Sequence, residues 1–162
     1  MPIRNAARED FAQILAINEA SVQFLSPLSF ERTIALHELA AYHRAVTTSD
    51  GVQAFLLALR EGATYDSVNY QWFSSHFTQF LYIDRIVVST SAHGKGYGKR
   101  LYEDLIAYAQ QTQIGLITCE FDIEPLNIAS QRLHQSFGFT QVGSQYLGAA
   151  GKRVSMQALS KR

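Results

Sequence analysis

The sequence predicts an α/β protein, one domain over residues 1–162 with a central mixed β-sheet flanked by helices. Three observations predict it. The chain has 162 residues and is 47% apolar, enough for one domain with a sizeable core. Its second half runs strand, glycine turn, helix, strand, which is the order of a parallel βαβ crossover. Runs before and after that unit read as antiparallel hairpins, so parallel and antiparallel pairing share one sheet.

Taken in order, residues 7 to 23 place Phe11, Ile14, Leu15, Asn18 and Val22 at helical spacing, and Phe30, Ile34 and Leu39 mark a second helix after Pro27. Each reads as a surface helix with one buried stripe. AYHRAVTT and GVQAFLLALR then flank Ser49-Asp50-Gly51, a turn signal between two β-compatible runs. Residues 61 to 80, EGATYDSVNYQWFSSHFTQF, keep no sustained period but hold Tyr65, Tyr70, Trp72, Phe73, Phe77 and Phe80. Long structureless loops are uncommon in compact domains. The segment is therefore expected to pack as a functional loop or short helix, either covering the core or lining a substrate. After it come a strand over 81 to 88, the glycine turn, a helix over 99 to 113, a strand over 115 to 123, a helix over 127 to 137, and strands near 139 to 147 and 152 to 159.

Composition narrows the function classes. Lys plus Arg and Asp plus Glu are 14 each, so there is no global basic field for nucleic acid and no acidic tail. MPIRNAARED lacks the apolar centre of a signal peptide, and no apolar run reaches the roughly 20 residues of a membrane span. A cytoplasmic protein without nucleic-acid or membrane partners is expected; a homodimer stays open. Cys119 is the one cysteine, which rules out an internal disulfide and a multi-cysteine zinc site, and its place in LITCEF suits a packed core thiol. His37 and His43 do not form H-E-x-x-H, because Ala41 stands at the second histidine position. No metal is expected.

The turn VVSTSAHGKGYGKRL carries the chemistry. Gly94, Gly96 and Gly98 alternate, matching neither G-x-G-x-x-G nor the G-x-x-x-x-G-K-[ST] phosphate loop. Even so, glycines allow positive φ and close ligand approach, and the first amides of the following helix have no intrahelical partner. Lys95, Lys99 and Arg100 add positive charge, so an anion such as a phosphate is the expected ligand; a plain βα connection is the alternative. Leu101, Leu105 and Tyr108, with Tyr102, Ile106 and Ala109 beside them, seat the helix on the sheet.

This strand-turn-helix resembles the acyl-CoA pyrophosphate site of the GNAT superfamily of N-acyltransferases, whose signature is Gln/Arg-x-x-Gly-x-Gly/Ala; here it reads His93-Gly94-Lys95-Gly96-Tyr97-Gly98. Downstream, Asn127 opens a helix that closes on Gly138-Phe139, similar to the family's second motif. The resemblance implies a GNAT-like mixed sheet whose central strand splays from its neighbour, with acetyl-CoA or another acyl-CoA as co-substrate. It implies that backbone at Ile86, Val87 and Val88 binds the pantetheine arm and that amides from His93 through Gly94, Lys95, Gly96, Tyr97 and Gly98 to Lys99 hold the pyrophosphate. Asn127 is expected to contact the arm. His134 stands where the family usually carries a tyrosine that acts as acid toward the thiolate, and His93 where Gln or Arg is usual.

Transfer to an amine needs a neutral nitrogen, yet an alkylamine with pKa near 10 is mostly protonated at neutral pH. In LYIDRIVV, strict alternation puts Tyr82, Asp84, Ile86 and Val88 on one face, and makes Asp84 the carboxylate nearest the expected thioester. Asp84 is then a candidate base, directly or through water, or the partner of a basic neighbour. Glu120 and Asp122 share a face on the next strand, and Glu120 ranks ahead of Asp122 as an alternative base. Asn127, Ser130 and His134 fall at i, i+3 and i+7, with Ala129, Leu133 and Phe137 as a separate apolar stripe. On this reading Ser130 flanks the cofactor, His134 hydrogen-bonds the sulfur, and His76 is a candidate for the acceptor pocket. The resemblance implies acyl transfer to a small-molecule or peptide amine by direct attack in a ternary complex. An acyl-CoA-binding sensor and a nucleotide-binding α/β protein are the alternatives.

Overall fold

The computed structural model describes residues 3–21 and 27–160, and among them seven strands make one mixed sheet. They are β1 (Ile3–Asn5), β2 (Tyr42–Thr48), β3 (Gly51–Arg60), β4 (Leu81–Val88), β5 (Leu116–Glu124), β6 (Thr140–Leu147) and β7 (Lys152–Ser160). Their order is β1-β2-β3-β4-β5-β7-β6, with β4 parallel to β5 and the other neighbours antiparallel. The helices are α1 (Phe11–Glu19), α2 (Phe30–Leu39), α3 (Val68–His76), α4 (Tyr97–Gln111) and α5 (Ile128–Phe137).

The predicted mixed sheet is thus present, with differences at its ends. The short β1 is an addition, three residues too few to show alternation. The first helix stops at Glu19, and Val22, expected on its stripe, lies outside the described residues. The hairpin turn is where expected, and Gly51 takes φ +103, which favours glycine. The aromatic segment contains α3, capped by Ser67, whose Oγ accepts from the Tyr70 amide at 3.2 Å.

Two apolar layers enclose the sheet. On one face Leu101, Tyr102, Leu105 and Ala109 of α4 pack with Tyr42, Leu56, Ile83, Ile117 and Cys119, so the cysteine is the packed thiol expected. On the other, Leu36 of α2 and Tyr70 and Phe73 of α3 pack with Leu57, Leu59, Tyr82 and Met156, while Phe11 and Ile14 of α1 pack with Ala45, Phe55 and Val87.

Strict alternation along β4 fails at one point. The register against β3 runs Leu57↔Arg85 and then Ala58↔Ile83, leaving Asp84 as a bulged extra residue. Ile83, Ile86 and Val88 therefore pack on the α4 side, and Tyr82 and Val87 on the α1–α3 side. The expected common face of Tyr82, Asp84, Ile86 and Val88 is not formed, because the bulge reverses the alternation between Asp84 and Ile86.

Candidate active site

The parallel ladder between β4 and β5 consists of two pairs, Leu81↔Ile117 and Tyr82↔Thr118. Beyond them β4 stays paired to β3 as far as Val88, and β5 to β7 as far as Glu124, so the two strands part. A cavity of about 370 Å³ fills the gap, lined by Asp84, Ile86, Val87, Val88, His93 and Gly98 on one flank and by Glu120, Asn127, Ser130 and His134 on the other.

The glycine turn leads from β4 to α4. Gly94 and Gly96 have φ of +83 and +80, and a Cβ at either would meet nothing within 4 Å, so the turn is open on its outer side. Gly96 is the N-cap of α4, and the first helical bond is donated by the Arg100 amide to Gly96 O at 3.1 Å. The amides before Arg100 thus have no acceptor within the helix, an end at which an anion is favoured. Lys95, Lys99 and Arg100 are exposed around them. Gly94, Lys95, Gly96, Tyr97 and Lys99 do not line the cavity; the turn forms its outer rim, and Tyr97 is buried in the α4 core. His93 Nε2 donates to Val88 O at 3.1 Å, tying the turn to the strand end.

The two faces of the gap differ in chemistry. On the α3 side stand two carboxylates, each accepting a hydrogen bond from a buried tyrosine hydroxyl, Tyr65 to Asp84 and Tyr82 to Glu120. Asp84 also takes the Arg85 Nε–H at 2.7 Å, with both side chains buried, and Arg85 reaches Asn18 Oδ1 of α1 at 3.0 Å. The ion pair read as an alternative for Asp84 is therefore made. Burial pushes the Glu120 carboxyl up to about 7, with the Asp84 charge adding to the effect and the Tyr82 bond opposing it. Asp122 is engaged by Lys152 at 3.2 Å.

On the α4 side stand Tyr102, Cys119, Phe121 and His134. Asn127 caps α5, its Oδ1 accepting from the Ser130 amide at 3.2 Å, and Gly138 closes the helix at φ +94, as the sequence suggests. The helix turns differently from expectation, however. Ala129 is exposed, Leu133 and Phe137 are half-buried, and His134 is the buried residue of α5. Its ring stacks on Phe121 at 5.4 Å. Nδ1 donates to Ser130 O at 2.6 Å, and Nε2 lies 2.6 Å from the Tyr102 hydroxyl. Burial lowers the His134 pKa, so the ring is neutral at physiological pH; the carbonyl can only accept, which places its proton on Nδ1. Tyr102 O–H is then the donor to Nε2. Tyr102, placed by its spacing in an apolar stripe, is the site residue the sequence did not disclose; its one signal is the i, i+4 step from Gly98. His76 is exposed, stacked on Trp72 at 3.8 Å, and does not line the cavity.

Residues 63–139 match the family model described as acetyltransferase (GNAT) family. This stretch, a little under half of the chain, resembles a GNAT acetyltransferase domain. No curated protein sequence matches it. Among solved structures, the GNAT fold of this chain is similar to that of the ribosomal-protein-S18-alanine N-acetyltransferase of Escherichia coli, at 15% identity and a TM-score of 0.75, covering 98% of this chain and 92% of that one. An N-acetyltransferase from Staphylococcus aureus Mu50 gives 24% identity and a TM-score of 0.74 over 98% and 97%. The yncA protein of Salmonella typhimurium, solved with its cofactor acetyl-CoA, gives 20% and 0.72 over 98% and 92%. The matched stretch includes the splayed strands, the glycine turn, α4 and α5, which are the elements that line the gap.

Proposed function

We propose that this GNAT protein binds acetyl-CoA or another acyl-CoA and transfers the acyl group to a primary amine by direct attack within a ternary complex. The observation that carries the reading is the gap itself. Two parallel strands part beside an open, positive-φ glycine turn, leaving a cavity with helix amides at its mouth and carboxylates on one wall.

In this reading the pantetheine arm lies along Ile86, Val87 and Val88, with Asn127 and Ser130 across from it, and the amides of His93 to Lys99 hold the pyrophosphate. The acceptor nitrogen approaches from the carboxylate side. Glu120 is the base: a carboxyl near 7 is both ionised enough and basic enough to take a proton at neutral pH. Asp84 already holds Arg85 and Tyr65, so it fixes β4 to α1 and contributes negative charge beside Glu120. The nitrogen lone pair forms the new C–N bond, the C–S bond breaks toward sulfur, and the nitrogen's proton passes to Glu120.

The acceptor is a small-molecule or peptide amine. The Escherichia coli structure, named for an alanine of ribosomal protein S18, makes peptides with free N-termini one arm of the test. Purified protein is incubated with acetyl-CoA and panels of small amines, amino acids, N-terminal peptides and lysine peptides, and free CoA thiol is followed. Thiol release above the acceptor-free rate with one class is expected. Binding of acetyl-CoA with no release for any class overturns the transferase reading and leaves an acyl-CoA sensor.

A further inference from the structure

His134 occupies the place from which a hydrogen bond to the leaving sulfur is expected, yet both of its ring nitrogens are already engaged. Nδ1 donates to Ser130 O, and Nε2 accepts from Tyr102. A neutral imidazole has one N–H, and here it points away into its own helix. The hydroxyl of Tyr102 is a donor on this wall whose proton can turn, by rotation about the C–O bond, from a neutral nitrogen toward an anion.

Resting on the acyl-transfer reading above, we propose that Tyr102 donates the hydrogen bond that stabilises the departing CoA thiolate, and that His134 is a positioning residue which holds the Tyr102 hydroxyl at the gap through Nε2. The setting fits. The Tyr102 ring is fixed by stacking on Phe137 at 5.1 Å and by the edges of His134 and Phe139, so its oxygen has one location. Burial holds its hydroxyl well above the ordinary tyrosine range, which keeps it a donor; it lends its proton to sulfur and does not lose it. When the C–S bond breaks, the electron pair goes to sulfur, the thiolate accepts the Tyr102 O–H, and the proton that finally makes the thiol comes from water as CoA leaves. The carboxylates stand on the opposite face, so base and sulfur partner do not meet.

The test compares binding of CoA and desulfo-CoA, which lacks the thiol sulfur, by calorimetry from about pH 6.5 to about pH 9.5, either side of a thiol pKa near 8.5. Asp84, Arg85, His93, Cys119, Glu120, Asp122 and His134 also face the cavity; the ratio cancels their effect on the shared part of the ligand, and any coupling to the sulfur itself persists in Tyr102→Phe, so the difference between wild type and that variant isolates the hydroxyl. The wild-type ratio is expected to rise in favour of CoA by about tenfold across this range, the scale of one hydrogen bond to a charged group. Tyr102→Phe should abolish the rise and leave desulfo-CoA affinity within about twofold. His134→Phe, which keeps the ring stack but loses both nitrogens, should reduce the rise by about threefold, because the hydroxyl is no longer aimed. A wild-type ratio that does not change with pH, a series that needs no variant, overturns the proposal, as does a rise that survives undiminished in Tyr102→Phe. A full rise in His134→Phe overturns the positioning role. Binding of neither ligand to the wild type overturns the acyl-CoA reading instead.

Discussion

Glu120 ties the site's chemistry to its cost in stability. With its carboxyl at about 7, kcat/KM for a given acceptor should climb through pH 6 to 7 as the base ionises. Glu120→Gln should lower the rate by about 10²-fold and remove that limb, read from a pH–rate profile. The same shift makes the ionised form unfavourable in the fold. The folded pKa is raised, so the group's contribution is full below the unfolded value of 4.5 and is lost as pH rises through about 7. Part of the residue is open to the cavity, so Glu120→Gln should gain about 1–2 kcal/mol at pH 8 and little at pH 4, measured by urea unfolding. Residue identities at this site were legible in the sequence, and relationships between them less so. Asp84 and Glu120 were both read as candidate bases, and a bulge and a neighbouring arginine set their surroundings apart. Neither follows from alternation. Tyr102 escaped because a buried tyrosine on an apolar stripe reads as core until its hydroxyl has a partner.

At the scale of elements, α3 is the part that sequence left open between loop and helix. It has no clean period because several sides are held: Asn69 Oδ1 accepts from Gln145 Nε2 at 2.9 Å, Trp72 covers Gly143, and Arg32 of α2 meets Asp66 at 2.6 Å ahead of it. A Cβ at Gly143 would come within 2.4 Å of the Trp72 ring. Gly143→Ala should therefore displace α3 and cost about 1–3 kcal/mol, with amide exchange accelerating in α3 more than in α4. Between α2 and β2, His37 and His43 face each other Nδ1 to Nδ1 at 2.8 Å, packed by Phe11 and Phe55. Burial and then His37 push His43 down to about 4, with Asp10 opposing. The unfolded chain binds that proton more readily, so stability present above pH 6.5 is lost as pH falls toward 4. His43→Phe should flatten this acid loss by about 2 kcal/mol in a pH series of urea unfolding. The helix α5 shows the limit of pattern reading: its caps follow from Asn127 and Gly138, but which side is buried was decided by Phe121 and Tyr102 on other elements.

For the molecule as a whole, the order of elements told most of the story. Strand-turn-helix-strand gave the crossover, and the hairpins gave the mixed sheet. The parting of β4 from β5 was implied by family resemblance and is invisible to spacing, because both strands remain well-formed β sequence on either side of the gap. A ligand seated there touches both halves of the sheet and so should stabilise the fold by mass action. CoA at about 100 times its Kd should raise Tm by about 5–10 °C, whereas ATP and NAD should not, in a thermal-shift series.

The same parting has a use outside catalysis. Joined across the sheet by two residue pairs, the chain falls into a four-strand piece and a three-strand piece that share the core under α4 and are connected through residues 112–115. A break in that connection would leave each piece its own antiparallel ladder, with the core under α4 and whatever fills the seam to hold them together. The fold is thereby laid out so that a ligand in the seam bears on both pieces at once.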